Sequence, residues 1–413
     1  MIKQVFVSLE IGENDIKMLV AEYFNARFNV LKVEKKSTLG LNDYKVIDEQ
    51  QFISDLIDLK DTVSKKIGAT IEKVILVLPD INFKRYPINI NINSNDQLIT
   101  KKDIYNTIKK SLSYKVDNDV VAVDTNVIKY IINGFSSRKI PEKEVNKNAF
   151  MDVDLLCLDK QMTYTFVTLV EKAGLGIVDI TTNAYAVCKE ANLLDKSLKE
   201  NIIYLNINKS CTFLNLISKG KLLSSAILNE GLDSLINKIR VKYEISDDDI
   251  LKLLKFNVNL DSKYKEEVVF AYSENGLTKS ITVSDLNEII AEPLSNYLDK
   301  IITICEPILK EESSFFITGE GQQVACIINE LKNKSNIPVN AYFPETIGLR
   351  DSLLTALYGA LYAYRDKVIL SDEKVDCIDL LQLNALIDER NLDTEGETIT
   401  TKIKNFFKQY IER

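Results

Sequence analysis

Whatever chemistry this chain performs falls to its carboxylates, because no histidine occurs among its 413 residues. That absence removes the Ser-His-Asp and Cys-His arrangements and the commonest general base. An enzyme built on this sequence would need acids acting with a bound metal. The six cysteines, Cys157, Cys188, Cys211, Cys305, Cys326 and Cys377, never stand in CxxC spacing. With no histidine to complete a structural zinc site, they read as reduced, mostly core residues. A formal net charge of −8 argues against nucleic acid as a partner, since phosphate neutralisation needs a clustered basic surface.

A second chemistry, that of a lipid surface, is written into the last residues. Ile399, Ile403, Phe406, Phe407, Tyr410 and Ile411 gather on one side at helical spacing, while Lys402, Lys404, Asn405, Lys408, Gln409 and Arg413 fall on the other. A basic polar face opposite a phenylalanine-rich apolar face suits an interfacial membrane anchor. It follows an acidic linker, residues 388–398, that carries Gly396. Apolar runs such as residues 74–78 are far too short to span a bilayer, and residues 1–9 show no signal-peptide pattern. The expected location is therefore the cytosol, with the tail on the inner face of the membrane.

The elements that must position these residues are strands first. Val5, Val7, Leu9 and Ile11 alternate as in a half-buried strand, a turn covers residues 12–15, and strands at 17–23 and 27–33 follow. Phe52, Leu56, Leu59, Val63 and Ile67 recur at helical spacing, closed by Gly68. A buried strand returns at 73–78. The same order begins again at Asn201: strands at 202–207, 212–217 and 222–228, then a helix over 232–243. Two such copies suggest a duplicated α/β unit with a cleft between them, the outline of the actin and sugar-kinase superfold. Between the copies lie short strands at 86–92, 127–132 and 155–158, a helix over 100–112 with Ile104, Ile108 and Leu112 at spacing four, and a surface loop at 134–148.

Several segments, in order along nearly the whole chain, resemble the bacterial FtsA cell-division family. Leu9-Glu10-Ile11-Gly12-Glu13-Asn14-Asp15 stands where that family has a DIGTSK-like loop, and Leu98-Ile99-Thr100-Lys101-Lys102-Asp103-Ile104 where it has an EITxEDI-like helix start. Glu171-Lys172-Ala173-Gly174-Leu175 is nearly its ERAGL, Thr318-Gly319-Glu320-Gly321 its adenosine-loop TGGG, and Thr355-Ala356-Leu357-Tyr358-Gly359-Ala360 its ATAxGL helix. The pilus protein PilM is similar in the same region and stays a competing likeness.

The resemblance implies an α/β chain of actin-like, duplicated ribonuclease H-like fold with a small inserted α+β domain. Its expected units are residues 1–83 with 164–198 and 340–387; the insert, 84–163; 199–228 with 300–339; a small unit, 229–299; and the tail, 399–413. It also implies partners: the C-terminal tail of the division tubulin FtsZ on the 229–299 unit, the membrane surface through Ile399, Lys402, Ile403, Phe406, Phe407, Lys408, Tyr410 and Ile411, and further copies of the chain in filaments. The charged segment 247–283 reads as loop-rich.

ATP with magnesium is the cofactor such a fold implies, and the residues facing it would be Glu10, Gly12, Glu13, Asn14, Asn206, Asn208, Lys209, Ser210, Gly319 and Gly321. Close approach of backbone N–H groups to phosphates needs small residues, and a carboxylate holds the metal. Here Glu10 replaces the usual Asp, Glu13 stands in place of Thr, and Asn206-Ile207-Asn208-Lys209-Ser210-Cys211-Thr212 replaces a DIGGGTTD-like loop, losing its Asp and its glycines. A carboxylate beside a triphosphate costs on the order of 1 kcal/mol or more, although Lys209 could still neutralise phosphate. Three readings stand: a cleft that binds nothing and is held by direct contacts, binding without efficient turnover, or an efficient ATPase. No catalytic residue and no protein metal site are assigned.

Overall fold

Two strands joined by a three-residue turn begin the chain: β1 (Gln4–Ile11) pairs antiparallel with β2 (Asp15–Phe24), from Gln4 opposite Tyr23 to Ile11 opposite Ile16. The structure, a computed structural model, describes residues 4–94, 98–144, 148–258, 260, 266–274, 277–344, 351–371 and 375–383. The alternation in β1 predicts one wet face, yet residues 5–11 are all buried, because β1 is the central strand of its sheet and central strands lose both faces to the core. β3 (Arg27–Ser37) extends the meander, and the short β4 (Leu41–Asn42) and β5 (Lys45–Val46) form a tight hairpin. Its tip, Asp43 and Tyr44, has φ of 50° and 62°, the left-handed pair that a primed turn requires.

Helix α1 (Glu49–Ile67) starts where the Asp48 carboxylate accepts from the Gln51 N–H at 3.0 Å and stops at Gly68, φ 73°. It buries Phe52, Leu56, Leu59 and Val63, the residues whose spacing predicts it. β6 (Lys73–Leu78) then lies parallel to β1.

The insert follows: β7 (Lys84–Asn91), α2 (Lys101–Ser111), β8 (Val120–Ile132), β9 (Phe135–Ser137) and β10 (Ala149–Asp159). Its sheet, ordered β7-β10-β8-β9, is antiparallel throughout. α2 begins in a capping box made by Thr100 and Asp103 and buries Ile104 and Ile108 on the sheet side. β8 and β10 run well beyond the short strands the sequence suggests, and β9 lies inside the segment read as a loop.

The chain returns through α3 (Lys160–Lys172), which begins inside the span assigned to the insert, then β11 (Gly176–Thr182), α4 (Asn183–Glu190) and α5 (Leu193–Lys196). β11 lies parallel to β6 and completes a sheet ordered β11-β6-β1-β2-β3.

The second half repeats this plan. β12 (Asn201–Ile207), β13 (Thr212–Ser218) and β14 (Lys221–Leu228) form the meander. α6 (Asp233–Tyr243), α7 (Asp247–Phe256), the hairpin β15 (Val268–Glu274) and β16 (Leu277–Thr282), and α8 (Val283–Leu309) come next. Thus the described part of 247–283 holds a helix and a hairpin rather than loops. α8 is continuous across 299 and 300, where the sequence reading divides two units. β17 (Ser313–Gly319), α9 (Ala325–Ser335), β18 (Val339–Ala341) and α10 (Thr355–Val368) end the described elements. The second sheet, β14-β13-β12-β17-β18, has the first sheet's pattern of two antiparallel and two parallel neighbours. The first half's core extends onto one face of the second sheet through Ile202, Tyr204, Ile217, Leu222 and Phe316, and further cores lie within the second half and the insert. Among the described residues no helix is long and apolar enough to cross a membrane.

Candidate functional site between the paired turns

The repeat sets two equivalent turns face to face, residues 12–14 between β1 and β2 and residues 208–211 between β12 and β13. From the first, the Glu13 side chain crosses the cleft. Its carboxylate accepts the backbone N–H of Lys209 at 3.2 Å and of Ser210 at 2.6 Å, and also the Ser210 hydroxyl. Consecutive N–H groups pointing at one spot form an anion-binding concavity, and a side chain of this same protein fills it. Burial pushes the Glu13 pKa up, opposed by the bonds from Ser210 and Lys209.

Behind Glu13 lies a buried charge cluster. Glu10 on β1 is opposite Lys17 on β2, and Lys17 Nζ stands 3.3 Å from Glu10 Oε1 and 3.8 Å from Asp15 Oδ1. Lys35 on β3 reaches Asp15 Oδ2 at 2.7 Å. Burial alone lowers a lysine's pKa, but Glu10 and then Asp15 outweigh it and hold Lys17 above its ordinary value. Burial raises Glu10 despite Lys17, whereas for Asp15 the pull of Lys17 and Lys35 exceeds the effect of burial and leaves it lowered. Glu10 Oε2 has no hydrogen-bond partner.

Neutral contacts complete the closure. Asn183, at the start of α4, donates to Glu10 Oε1 at 3.1 Å and accepts from Asn206 Nδ2 at 3.3 Å, so one amide links the equivalent positions of β1 and β12. Tyr44, at the tip of the β4–β5 hairpin, accepts from Asn208 Nδ2 at 3.0 Å and packs edge-on against Phe213 with centroids 5.6 Å apart. Its own N–H donates to the Glu13 carbonyl at 3.0 Å.

Of the residues named from sequence, Glu10, Gly12, Glu13, Asn206, Asn208 and Gly319 line one cavity. Lys209 and Ser210 meet it through Glu13. Asn14 instead turns to its own half, where its Oδ1 accepts from the Asp43 N–H at 3.1 Å. Gly319 and Gly321 are needed by the fold itself: a Cβ on Gly319, φ 82°, would stand 2.4 Å from the Ile207 carbonyl, and one on Gly321 2.4 Å from Ile207 Cγ2. Lys17, Asp15, Tyr44 and Asn183 were not foreseen. For Lys17 a signal existed, a lysine inside the apolar run Ile16-Lys17-Met18-Leu19-Val20; Asn183 offers none. The tail residues Ile399 to Ile411 and the linker 388–398 lie outside the described residues.

The nucleotide implied by the fold does not fit this arrangement. The cavity holds about 50 Å³, against roughly 300–1,000 Å³ for small-molecule sites, and the N–H groups that would cradle phosphate already carry a carboxylate.

No family model matches the chain. It is similar to cell division protein FtsA of Enterococcus hirae, 20% identical with 99% of each chain covered. FtsA of Streptococcus pneumoniae serotype 2 is 22% identical over 84% of this chain and 77% of its own. FtsA of Bacillus subtilis is 20% identical over 84% and 80%. Identity this low over most of the chain fits a divergent member of that group. Among solved structures, a PilM-PilN type IV pilus biogenesis complex aligns with a TM-score of 0.56, 13% identity, 88% of this chain and 98% of its own. MreB 5 of Spiroplasma citri bound to AMPPNP aligns at 0.52, 14% identity, 89% and 97%. The duplicated scaffold is therefore the actin fold.

Proposed function

We propose that this chain, similar along almost its whole length to FtsA cell-division proteins, is an actin-fold division adaptor that works without nucleotide turnover. In this reading it polymerises and tethers FtsZ filaments to the inner face of the cytoplasmic membrane. The observation that carries the adaptor role is the similarity to the Enterococcus hirae protein over 99% of both chains, which includes the amphipathic tail as well as the body. The latched cleft supports the absence of efficient ATP hydrolysis, since among the described residues the cavity between the turns holds about 50 Å³ and its N–H donors are already taken by Glu13.

FtsZ docking is assigned to the unit formed by α6, α7, β15, β16 and the start of α8. Among the described residues there, Val241 is 83%, Phe256 80% and Val268 55% exposed, apolar side chains available to a bound peptide. Membrane binding is assigned to the tail, where each Lys or Arg near an anionic leaflet adds about 1 kcal/mol. One short helix binds marginally, and filament formation multiplies the anchors through effective concentration.

The test is co-sedimentation of FtsZ polymers with anionic liposomes. The full chain should carry FtsZ into the liposome pellet. A chain ending at residue 398 should leave the pellet, and one with 247–283 replaced should pellet alone. Pelleting of the shortened chain would refute the tail anchor. The second reading is a PilM-like scaffold of a pilus or secretion machine, for which a membrane-anchoring terminal helix is not expected. Full-chain protein that binds neither anionic liposomes nor FtsZ would favour that alternative.

A further inference from the structure

We infer that Glu13 is a built-in substitute for an oxyanion ligand: its carboxylate occupies the anion nest of the opposite turn and holds the two halves of the fold closed with no bound ligand. The inference concerns the cleft alone and stands independently of FtsZ or membrane binding.

Three features converge. The nest is made by backbone N–H groups of Lys209 and Ser210, with the Ser210 hydroxyl as a third donor. The neighbouring carbonyls of Asn208 and Lys209 are held by the N–H groups of Leu232 and Asp233 at 3.1 and 2.8 Å, so the turn keeps its shape from behind. The first turn is anchored on its own side, the Gly12 N–H donating to the Asp15 carbonyl at 2.8 Å and the Thr38 N–H to the Asn14 carbonyl at 3.0 Å. Both partners are therefore preorganised, and Glu13 is delivered by a fixed backbone.

A tethered anion competes with free ones at an effective concentration in the millimolar range or above. Free phosphate or the phosphates of a nucleotide would have to displace Glu13 into a cleft already carrying Glu10 and Asp15. The nest itself recognises only the shared chemistry of an oxyanion. Removing the Glu13 carboxylate should thus create a phosphate site where the wild-type chain has none.

The experiment is calorimetric titration of the full chain at constant ionic strength with inorganic phosphate and, separately, with magnesium ATP. The variants are Glu13→Ala and Glu13→Thr. The wild-type chain should give no measurable binding of either ligand, and both variants should take up phosphate with an affinity about tenfold or more above the wild-type detection limit, the span expected for two charge-assisted backbone bonds. Binding of either ligand to the wild-type chain as tightly as to the variants would overturn the inference. Variants that bind magnesium ATP but not phosphate would do so too, because affinity would then come from the adenosine side rather than the nest. If both variants fail to fold, the wild-type titrations still decide: measurable phosphate or nucleotide binding refutes the latch, and silence with both ligands upholds it.

Discussion

The two turns that meet in the cleft come from the same sheet plan and do opposite work. The first, residues 12–14, is surrounded by charge: Glu10, Glu13, Asp15 and Lys17 lie within one hairpin. The second, residues 208–211, offers backbone N–H groups and the side chains of Asn206 and Asn208. Their complementarity means that the Glu13 carboxylate and the N–H groups of Lys209 and Ser210 satisfy one another without an outside ligand. The shared sheet plan supplies the geometry, and the side chains make one copy the anion and the other its receptor.

The charged side should be the more fragile. Lys17 is 6% exposed, and it stands between Glu10 and Asp15 as their shared cation. Removing one partner of a buried ion pair strands the other charge, at a cost of about 3–5 kcal/mol. Lys17→Met is expected to lose that much in urea unfolding, while Lys17→Met combined with Glu10→Gln should recover a large part of it. A single variant within about 1 kcal/mol of wild type would mean that the cluster is solvated and that the asymmetry between the turns is only nominal.

On the neutral side the expected loss is smaller and steric. Gly319→Ala places a Cβ 2.4 Å from the Ile207 carbonyl at φ 82°, and strain of this kind costs about 1–3 kcal/mol. Gly134, φ 85°, has nothing within 4 Å of its would-be Cβ, so Gly134→Ala measures the backbone penalty alone, roughly 1 kcal/mol. Equal losses at both positions would show that contact with β12 adds nothing. In that event Gly319 would be better explained by a ligand than by packing.

How far the sequence reveals this cleft follows from contact range. Alternation and turn residues locate both meanders, and helical spacing with a glycine stop locates α1, because each signal is local. The insert strands were read too short since register shifts at Asp152/Val153 and Leu156/Cys157 interrupt the period of two. Pairing of Glu10 with Lys17 follows from hairpin register once the turn is placed, and so was within reach. The bonds from Lys209 and Ser210 to Glu13 were not, because they join residues 196 and 197 positions apart. Glu13 reads locally as a poor phosphate-loop residue, and only the assembled fold shows what it binds instead. The glycines at 319 and 321 match an adenosine-loop pattern and are in addition required by their close approach to Ile207.

The smallest effect is expected where the tip of the β4–β5 hairpin touches the second turn without charge. Tyr44 accepts from Asn208 Nδ2 at 3.0 Å and buries its ring against Phe213, so Tyr44→Phe removes the hydrogen bond and keeps the aromatic contact. A neutral bond of this type contributes about 0.5–1.5 kcal/mol net, and a cycle with Asn208→Ala should return a coupling of that size. Tyr44→Ala loses the ring contact as well and should cost about 2 kcal/mol or more. If Tyr44→Phe instead proved as damaging as Lys17→Met, closure would rest on the neutral link, and the charged turn would be its passenger. A coupling near zero would leave Glu13 as the chief polar tie between the first turn and the second, which raises the effect expected from its removal.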